Sequence, residues 1–251
     1  AKKLIFNRQT KPRTAVIGIE DDFCRKIFTE LQEIDDQNVI GVSTEERVHG
    51  GVYVLDGTLY DDTEGHETPV MDLSQVASLQ GKHNWQNAAA AYACCKMTGI
   101  QPHAIMACIN SYPGLVHRQE AIAIVDGVGF VNDSKATNGE AAARALACFE
   151  DVYWIIGGRP KADGLKACEP YFDRIRKAYL IGEAALQFSN ELDGKVPLVM
   201  SGDLEAATRQ AFDDAKKAGL PGAVVLLSPA AASFDQFPSF EARGDAFREI
   251  V

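Results

Sequence analysis

Residues 132–138 read Asn-Asp-Ser-Lys-Ala-Thr-Asn, so seven consecutive positions hold an acid, a base, two hydroxyls and two side-chain amides. The run follows a strand-like stretch, 128–131, that leaves the turn Asp126-Gly127. It precedes an Ala-rich stretch, 139–149, in which Leu146 and Phe149 lie three apart, as in a helix. Asn138 or Thr137 can cap that helix, with Glu140 near the positive end of its dipole. A polar strand-to-helix turn suits an anionic ligand, because free backbone N–H groups and the dipole point there. A cap alone needs one or two polar residues, so six of them read as a binding turn.

Four other stretches carry chemistry. Residues 157–163 (GGRPKAD) combine glycines that let a ligand approach the backbone with the cations Arg159 and Lys161. Residues 115–120 (LVHRQE) hold a His117-Arg118 pair that can face a phosphate or serve as a linker salt bridge. In residues 81–87 (GKHNWQN), Asn84 and Asn87 are three apart, share a helix face and suit a base edge. Residues 227–237 (LSPAAASFDQF) allow close approach of a ligand, and Ser233 can donate to a carboxylate. Tight helix packing explains the same small residues. Gly127-Val128-Gly129 lacks the third glycine and the helix of a dinucleotide fingerprint. No GxxxxGK[ST], GxSxG or HExxH pattern occurs.

The elements that must position these residues follow from periodicity. Residues 14–19 and 38–42 read as strands, and Asp21-Asp22 can cap a helix over 23–34. Asp56-Gly57 between strand-like runs predicts a hairpin, followed by a polar loop over 61–68. An Ala-rich helix over 88–97 ends at Gly99, and Pro102 starts another running to about Asn110. Tyr112-Pro113-Gly114 breaks the chain. Beyond it, strands at 121–125, 128–131, 152–156, 178–181, 197–200 and 223–227 are interspersed with helices at 139–149, 169–177, 184–192, 204–218 and 243–250. The fold expected is α/β: a doubly wound, mostly parallel sheet over 115–251 and a second α/β region over 1–114. In such sheets ligands bind at the carboxyl ends of strands, where loops 132–138, 157–164, 182–183 and 228–240 fall.

Composition narrows the classes. The 251 residues carry a formal net charge of -10, which disfavours a nucleic-acid partner. No apolar run approaches a membrane span and no signal peptide opens the chain. The first residue is Ala1, and the opening looks like the tail of a helix, as in an excised or processed chain. The six cysteines form no CxxC pair, so buried free thiols in a reducing compartment are expected, not zinc ligands.

Taken together and in order, GKHNWQN (81–87), LVHRQE (115–120), NDSKATN (132–138), GGRPKAD (157–163) and LLSPAAASFDQFPSFEARGDAF (226–247) resemble the Mur ligases of peptidoglycan synthesis. The resemblance implies that residues 1–114 are the C-terminal part of a central ATP-binding domain and 115–251 a complete, Rossmann-like C-terminal ligase domain. A UDP-sugar domain and the Gly-rich phosphate loop would lie outside these residues, leaving this stretch inactive alone. It implies ATP and Mg²⁺ as cofactors and phosphorylation of a carboxylate, followed by attack of an amine on the acyl phosphate. The SFDQF context points to D-glutamate, joined to UDP-N-acetylmuramoyl-L-alanine by a cytoplasmic monomer with no nucleic-acid or membrane partner.

By the same resemblance, Asn84 and Asn87 look like adenine-side amides, and Arg118 like an arginine that reaches ATP phosphate. Asp133 and Lys135 look like nucleotide contacts, with Lys135 also catalytic. Thr137 and Lys161 resemble the pair that holds the α-carboxylate of D-glutamate. Ser233 and Phe240 resemble the groups at its side-chain carboxylate, Phe240 through its backbone N–H. Lys2 matches a catalytic lysine that, once carbamylated, helps bind a second Mg²⁺. Two departures stand out: Ile19-Glu20 precede Asp21-Asp22 where the family often has Asn, and Arg159-Pro160 occupy a variable stretch. The alternatives are another Mur ligase, a folylpolyglutamate synthetase-like ligase, or a non-catalytic binding module.

Overall fold

The computed structural model describes residues 2–161 and 164–251, Lys2 by its backbone alone. The chain divides into two compact units, Ala1–Pro113 and Gly114–Val251.

The first unit opens with a 3-10 helix, Lys2–Arg8. Then come β1 (Arg13–Gly18), α1 (Asp22–Gln32), β2 (Gln37–Ser43), β3 (Val52–Leu55), β4 (Thr58–Asp61), β5 (Thr68–Asp72), α2 (Lys82–Met97) and α3 (Pro102–Asn110). The sheet order is β1-β2-β3-β4-β5, parallel as far as β3 and antiparallel from there. Asp21 caps α1 by accepting the Cys24 N–H at 2.8 Å. Strand β5 departs from the expected pattern. It contains Pro69, which a sheet tolerates at an edge, and its register shifts beside that residue. Helix α2 starts at Lys82 and not at 88, so Asn84 and Asn87 lie within its first two turns. Asp61 at the end of β4 accepts from Tyr92 Oη at 2.8 Å and Lys96 Nζ at 2.7 Å, which ties the sheet to α2.

The second unit contains β6 (Glu120–Val125), β7 (Val128–Asn132), α4 (Gly139–Leu146), β8 (Val152–Gly157), a 3-10 helix (Lys166–Arg174), β9 (Ile175–Ile181), α5 (Ala185–Leu192), β10 (Leu198–Gly202), α6 (Leu204–Ala218), β11 (Val224–Leu227) and α7 (Phe240–Ile250). The sheet order is β10-β9-β8-β11-β7-β6, and only the β6–β7 pair is antiparallel. Strands β8 and β11 are buried at every position because helices cover both faces. On one face Leu146, Phe188 and Leu192 pack against Trp154 and Leu226. On the other, Ala207, Ala211 and Phe247 pack against Phe130, Tyr179 and Val225. The sheet is thus doubly wound. An α-helix was expected over 169–177, but this segment is 3-10 and then strand. Pro170 has no N–H to give and disfavours a continuous α-helix.

None of the six cysteines is in a disulfide; Cys168 is buried, whereas Cys94 and Cys108 are exposed, so burial holds for only part of the set. Among the described residues, no helix is long and apolar enough to cross a membrane.

Candidate functional site

Strand β11 lies between β7 and β8. The connections after β7 and β8 pack on the face of α4 and α5, whereas the one after β11 leads to α7 on the opposite face, so connections diverge at β11, the topological switch point of the sheet. Leu227 at the end of β11 pairs with Asn132 on one side and Ile155 on the other. Three loops therefore begin side by side, and hydrogen bonds interlock them. The Asp133 N–H donates to Leu227 O at 2.7 Å, and Ser228 Oγ donates to Asp133 Oδ2 at 2.8 Å. The Gly157 N–H donates to Pro229 O at 2.9 Å. Arg159 and Ala232 exchange two backbone bonds, of 2.7 and 3.0 Å.

Gly157 and Gly158 serve this interlocking first. A Cβ on Gly157 would lie 1.9 Å from Ile181 O, and one on Gly158 2.2 Å from Ala232 O. Both also have positive φ, which L side chains rarely adopt. Loop packing therefore requires glycine at both positions, independently of any ligand.

Arg243 is the residue that motif reading missed. It is 1% exposed, yet its guanidinium is ion-paired to no carboxylate among the described residues. It donates instead to carbonyls of all three loops: Ser134 O at 2.8 Å, Ala231 O at 3.2 Å and Gly157 O at 3.4 Å. Its Nε also donates to Ser134 Oγ at 3.0 Å. Burial lowers its pKa to about 10, which leaves it charged at neutral pH. The available signal was its place in an apolar stripe: Phe240, Arg243, Gly244 and Phe247 recur at helical spacing.

Around this frame stand the predicted residues of the second unit. Asn138 is the cap of α4, accepting the Ala141 N–H at 2.8 Å, which leaves the Thr137 hydroxyl to other partners. Lys161 Nζ lies 3.4 Å from Thr137 Oγ1. Lys135 is exposed, with its ammonium 4.1 Å from the centre of the Phe240 ring. Phe240 is the first residue of α7 after the cap Ser239, so its N–H has no acceptor within the helix. Ser233 is almost wholly buried, in a turn where the Gln236 and Phe237 N–H groups donate to its carbonyl. Arg118 is exposed and its charge acts on Asp133. Asp133 itself is buried and engaged by Ser228 and by the Gln119 N–H at 3.2 Å. Burial pushes its carboxyl up to about 7, against which the hydrogen bonds from Ser228 and Gln119 and the Arg118 charge act.

His117 does not face outward beside Arg118. It is buried at φ +62°, with Nδ1 2.9 Å from Asn132 Nδ2 and Nε2 3.6 Å from Asp245 Oδ1. Gly244 makes room for it: a Cβ there would lie 2.2 Å from His117 Nδ1. The ring braces the turn from behind, and the His117 carbonyl accepts the Lys135 N–H at 3.1 Å.

The other predicted residues belong to the first unit. Asn84 Nδ2 donates to Gln80 O at 2.8 Å, a local bond at the start of α2, while Asn87 is exposed one turn on. The Lys2 side chain lies outside the described residues. Among the described residues no group of three or more His, Cys, Asp or Glu side chains could hold a metal ion. No Mg²⁺ ligand set is therefore assigned to them.

A doubly wound α/β domain with cations, hydroxyls and a helix N-terminus gathered at its switch point is of a kind that can hold anionic ligands. No family model matches the chain. Over all 251 residues it is 51% identical to UDP-N-acetylmuramoylalanine--D-glutamate ligase of Rhodospirillum rubrum, covering 53% of that protein. It is 49% identical over the same span to the protein of that name from Phenylobacterium zucineum, again covering 53%. The crystal structure of MurF from Acinetobacter baumannii shares the fold at 17% identity, with a TM-score of 0.61 over 99% of this chain and 55% of that one. The chain belongs to the Mur ligase family. It spans about half the length of the curated relatives it matches.

Proposed function

We propose that these residues form part of an ATP-dependent ligase that adds D-glutamate to UDP-N-acetylmuramoyl-L-alanine. The observation that carries this reading is the 51% identity, over the full chain, to a protein named for that reaction. The geometry of the second unit supports it, because D-glutamate presents two carboxylates and the loop edge offers two anion-holding groups. Thr137 and Lys161 hold the α-carboxylate. The Phe240 N–H, at the positive end of α7, holds the side-chain carboxylate, with Ser233 beside it. Both carboxylates then orient the amine.

ATP transfers its γ-phosphoryl group to the carboxylate of the muramoyl-alanine, and ADP leaves; Mg²⁺ would supply further charge neutralisation at the phosphates. The neutral amine of D-glutamate attacks the acyl carbon, the C–N bond forms, and inorganic phosphate departs. Lys135 and Arg118 offset phosphate charge during both steps. Asp133 acts from inside the turn, holding Ser228 and the Gln119 backbone so that Lys135 and Thr137 project outward. Asn84 and Asn87 are assigned to the adenine edge. The first unit is the later part of the ATP-binding domain and the second the ligase domain, of an enzyme acting in the cytoplasm as a monomer.

The test is phosphate release in a full-length protein containing these residues. Turnover should require ATP, D-glutamate and UDP-N-acetylmuramoyl-L-alanine together. The 251 residues alone, which contain no GxxxxGK[ST] loop, should show none. A different preferred amino acid would overturn the substrate assignment, and turnover by the 251 residues alone would overturn the division of labour.

A further inference from the structure

Lys161 and Thr137 come from different loops, yet the distance between them has an identifiable source. Thr137 precedes Gly139 by two positions, and Lys161 precedes Gly164 by three. Gly139 and Gly164 meet backbone to backbone: a Cβ on Gly139 would lie 2.3 Å from Gly164 O. On its far side Gly164 meets Glu191 of α5, where a Cβ would lie 2.7 Å from Oε2. That same oxygen accepts the Leu165 N–H at 2.6 Å. The other oxygen, Oε1, accepts from Gln187 Nε2 at 2.9 Å. No ion pair engages Glu191 among the described residues. Leu165 is buried in the core beneath α4 and α5, and Cys168 Sγ donates to Gly139 O at 3.4 Å.

We propose that Glu191 is a positioning residue for the D-glutamate site. It touches neither Thr137 nor Lys161. Its carboxylate pins the Gly164-Leu165 backbone, which presses on Gly139 and so sets the reach of Lys161 toward Thr137. A charge-assisted bond to a main-chain N–H is about twice as strong as a neutral one, which suits an anchor at the foot of an exposed loop. Without it the Leu165 N–H loses its acceptor in a buried setting, and the loop foot is free to lift from Gly139. A shift of about 1 Å at a binding pair is enough to weaken a bound geometry severely.

The inference rests on the reading that Thr137 and Lys161 hold the amino-acid carboxylate, so the experiment separates the two. In the full-length enzyme, Glu191→Ala, Glu191→Gln and Lys161→Ala are compared for kcat and for KM toward each substrate. Hydrogen exchange is followed at the Leu165 amide. Glu191→Ala should raise KM for D-glutamate about tenfold, leave KM for ATP within about twofold, and speed exchange at Leu165. Glu191→Gln, whose amide oxygen still accepts, should recover most of the loss. Should the alanine variant not fold, Glu191→Asp, one methylene short of Leu165, carries the same expectation. A normal KM for D-glutamate in Glu191→Ala, while Lys161→Ala raises it, overturns the positioning role. An equal rise in KM for every substrate overturns it too, as a general loss of structure. A normal KM for D-glutamate in Lys161→Ala overturns the underlying carboxylate reading, whatever exchange at Leu165 shows.

Discussion

Arg243 and Ser134 are joined twice: Nη2 donates to the Ser134 carbonyl at 2.8 Å, and Nε to the Ser134 hydroxyl at 3.0 Å. That hydroxyl in turn donates to Phe240 O at 2.8 Å, closing a ring between the binding turn and the first turn of α7. A buried guanidinium held by carbonyls and a hydroxyl is costly unless every donor direction is used. Its planar fork reaches three loops at once, which a single ammonium does not.

Removing the guanidinium should therefore cost stability as well as activity. Arg243→Met is expected to lower the stability of the second unit by about 3 kcal/mol, because several carbonyls lose their donor. Arg243→Lys should rescue little of this. Chemical denaturation followed by tryptophan fluorescence checks it, since buried Trp154 reports the second unit once Trp85 of the first is replaced by Phe. An Arg243→Lys variant as stable as the parent would show that the charge, and not the fork, is what the loops need.

Lys135 and Thr137 sit two positions apart but face different partners, the Phe240 ring and Lys161. Lys135→Ala in the full-length enzyme should mainly impair ATP use, lowering kcat/KM for ATP by about 100-fold. Thr137→Ala should mainly raise KM for D-glutamate, by about tenfold. Steady-state kinetics with each substrate varied in turn decides between them. The same defect in both variants would refute the division of the turn into a nucleotide side and an amino-acid side.

Much of this site was legible in the sequence, because its chemistry is concentrated in short runs beside strands of unmistakable pattern. The continuous apolar runs of β8 and β11 announced a sheet covered on both faces, and the polar turns after them located the edge. What stayed hidden depends on distant partners. Periodicity does not reveal that His117 turns inward, since its burial requires Gly244 and Asn132, residues far along the chain. Nor does it show that Gly157 and Gly158 are there for Ile181 and Ala232. Strand β5 and the 3-10 helix over Lys166–Arg174 were missed where Pro69 and Pro170 break the regular pattern.

The contact between Gly244 and His117 supplies a steric test. A methyl at 244 would meet the ring at 2.2 Å, and Asn132 blocks the ring's retreat. Gly244→Ala should destabilise the second unit by about 2 kcal/mol, within the usual range for overpacking. It should also lower activity, because the His117 carbonyl holds the Lys135 N–H. Thermal unfolding and phosphate release on the same variant measure both. Unchanged stability would mean that the ring relocates at little cost.

Asp133 makes the stability of the second unit depend on pH with a definite sign. Its carboxyl lies near 7 in the folded chain because it is buried, against 3.8 for a solvated aspartate. Between those values the folded state keeps a proton that the unfolded state has lost. Stability from this group is therefore present below about pH 4, falls as pH rises, and levels off above about 7. The full change is about 4 kcal/mol, from roughly 1.4 kcal/mol for each pH unit of displacement. Asp133→Asn cannot titrate, so the parent-minus-variant stability should decline from about pH 4 to about pH 8. Urea denaturation of the two proteins across that range measures the difference directly. A flat difference would mean that Asp133 stays ionised in the folded turn, with the Ser228 and Gln119 hydrogen bonds and the Arg118 charge outweighing its burial.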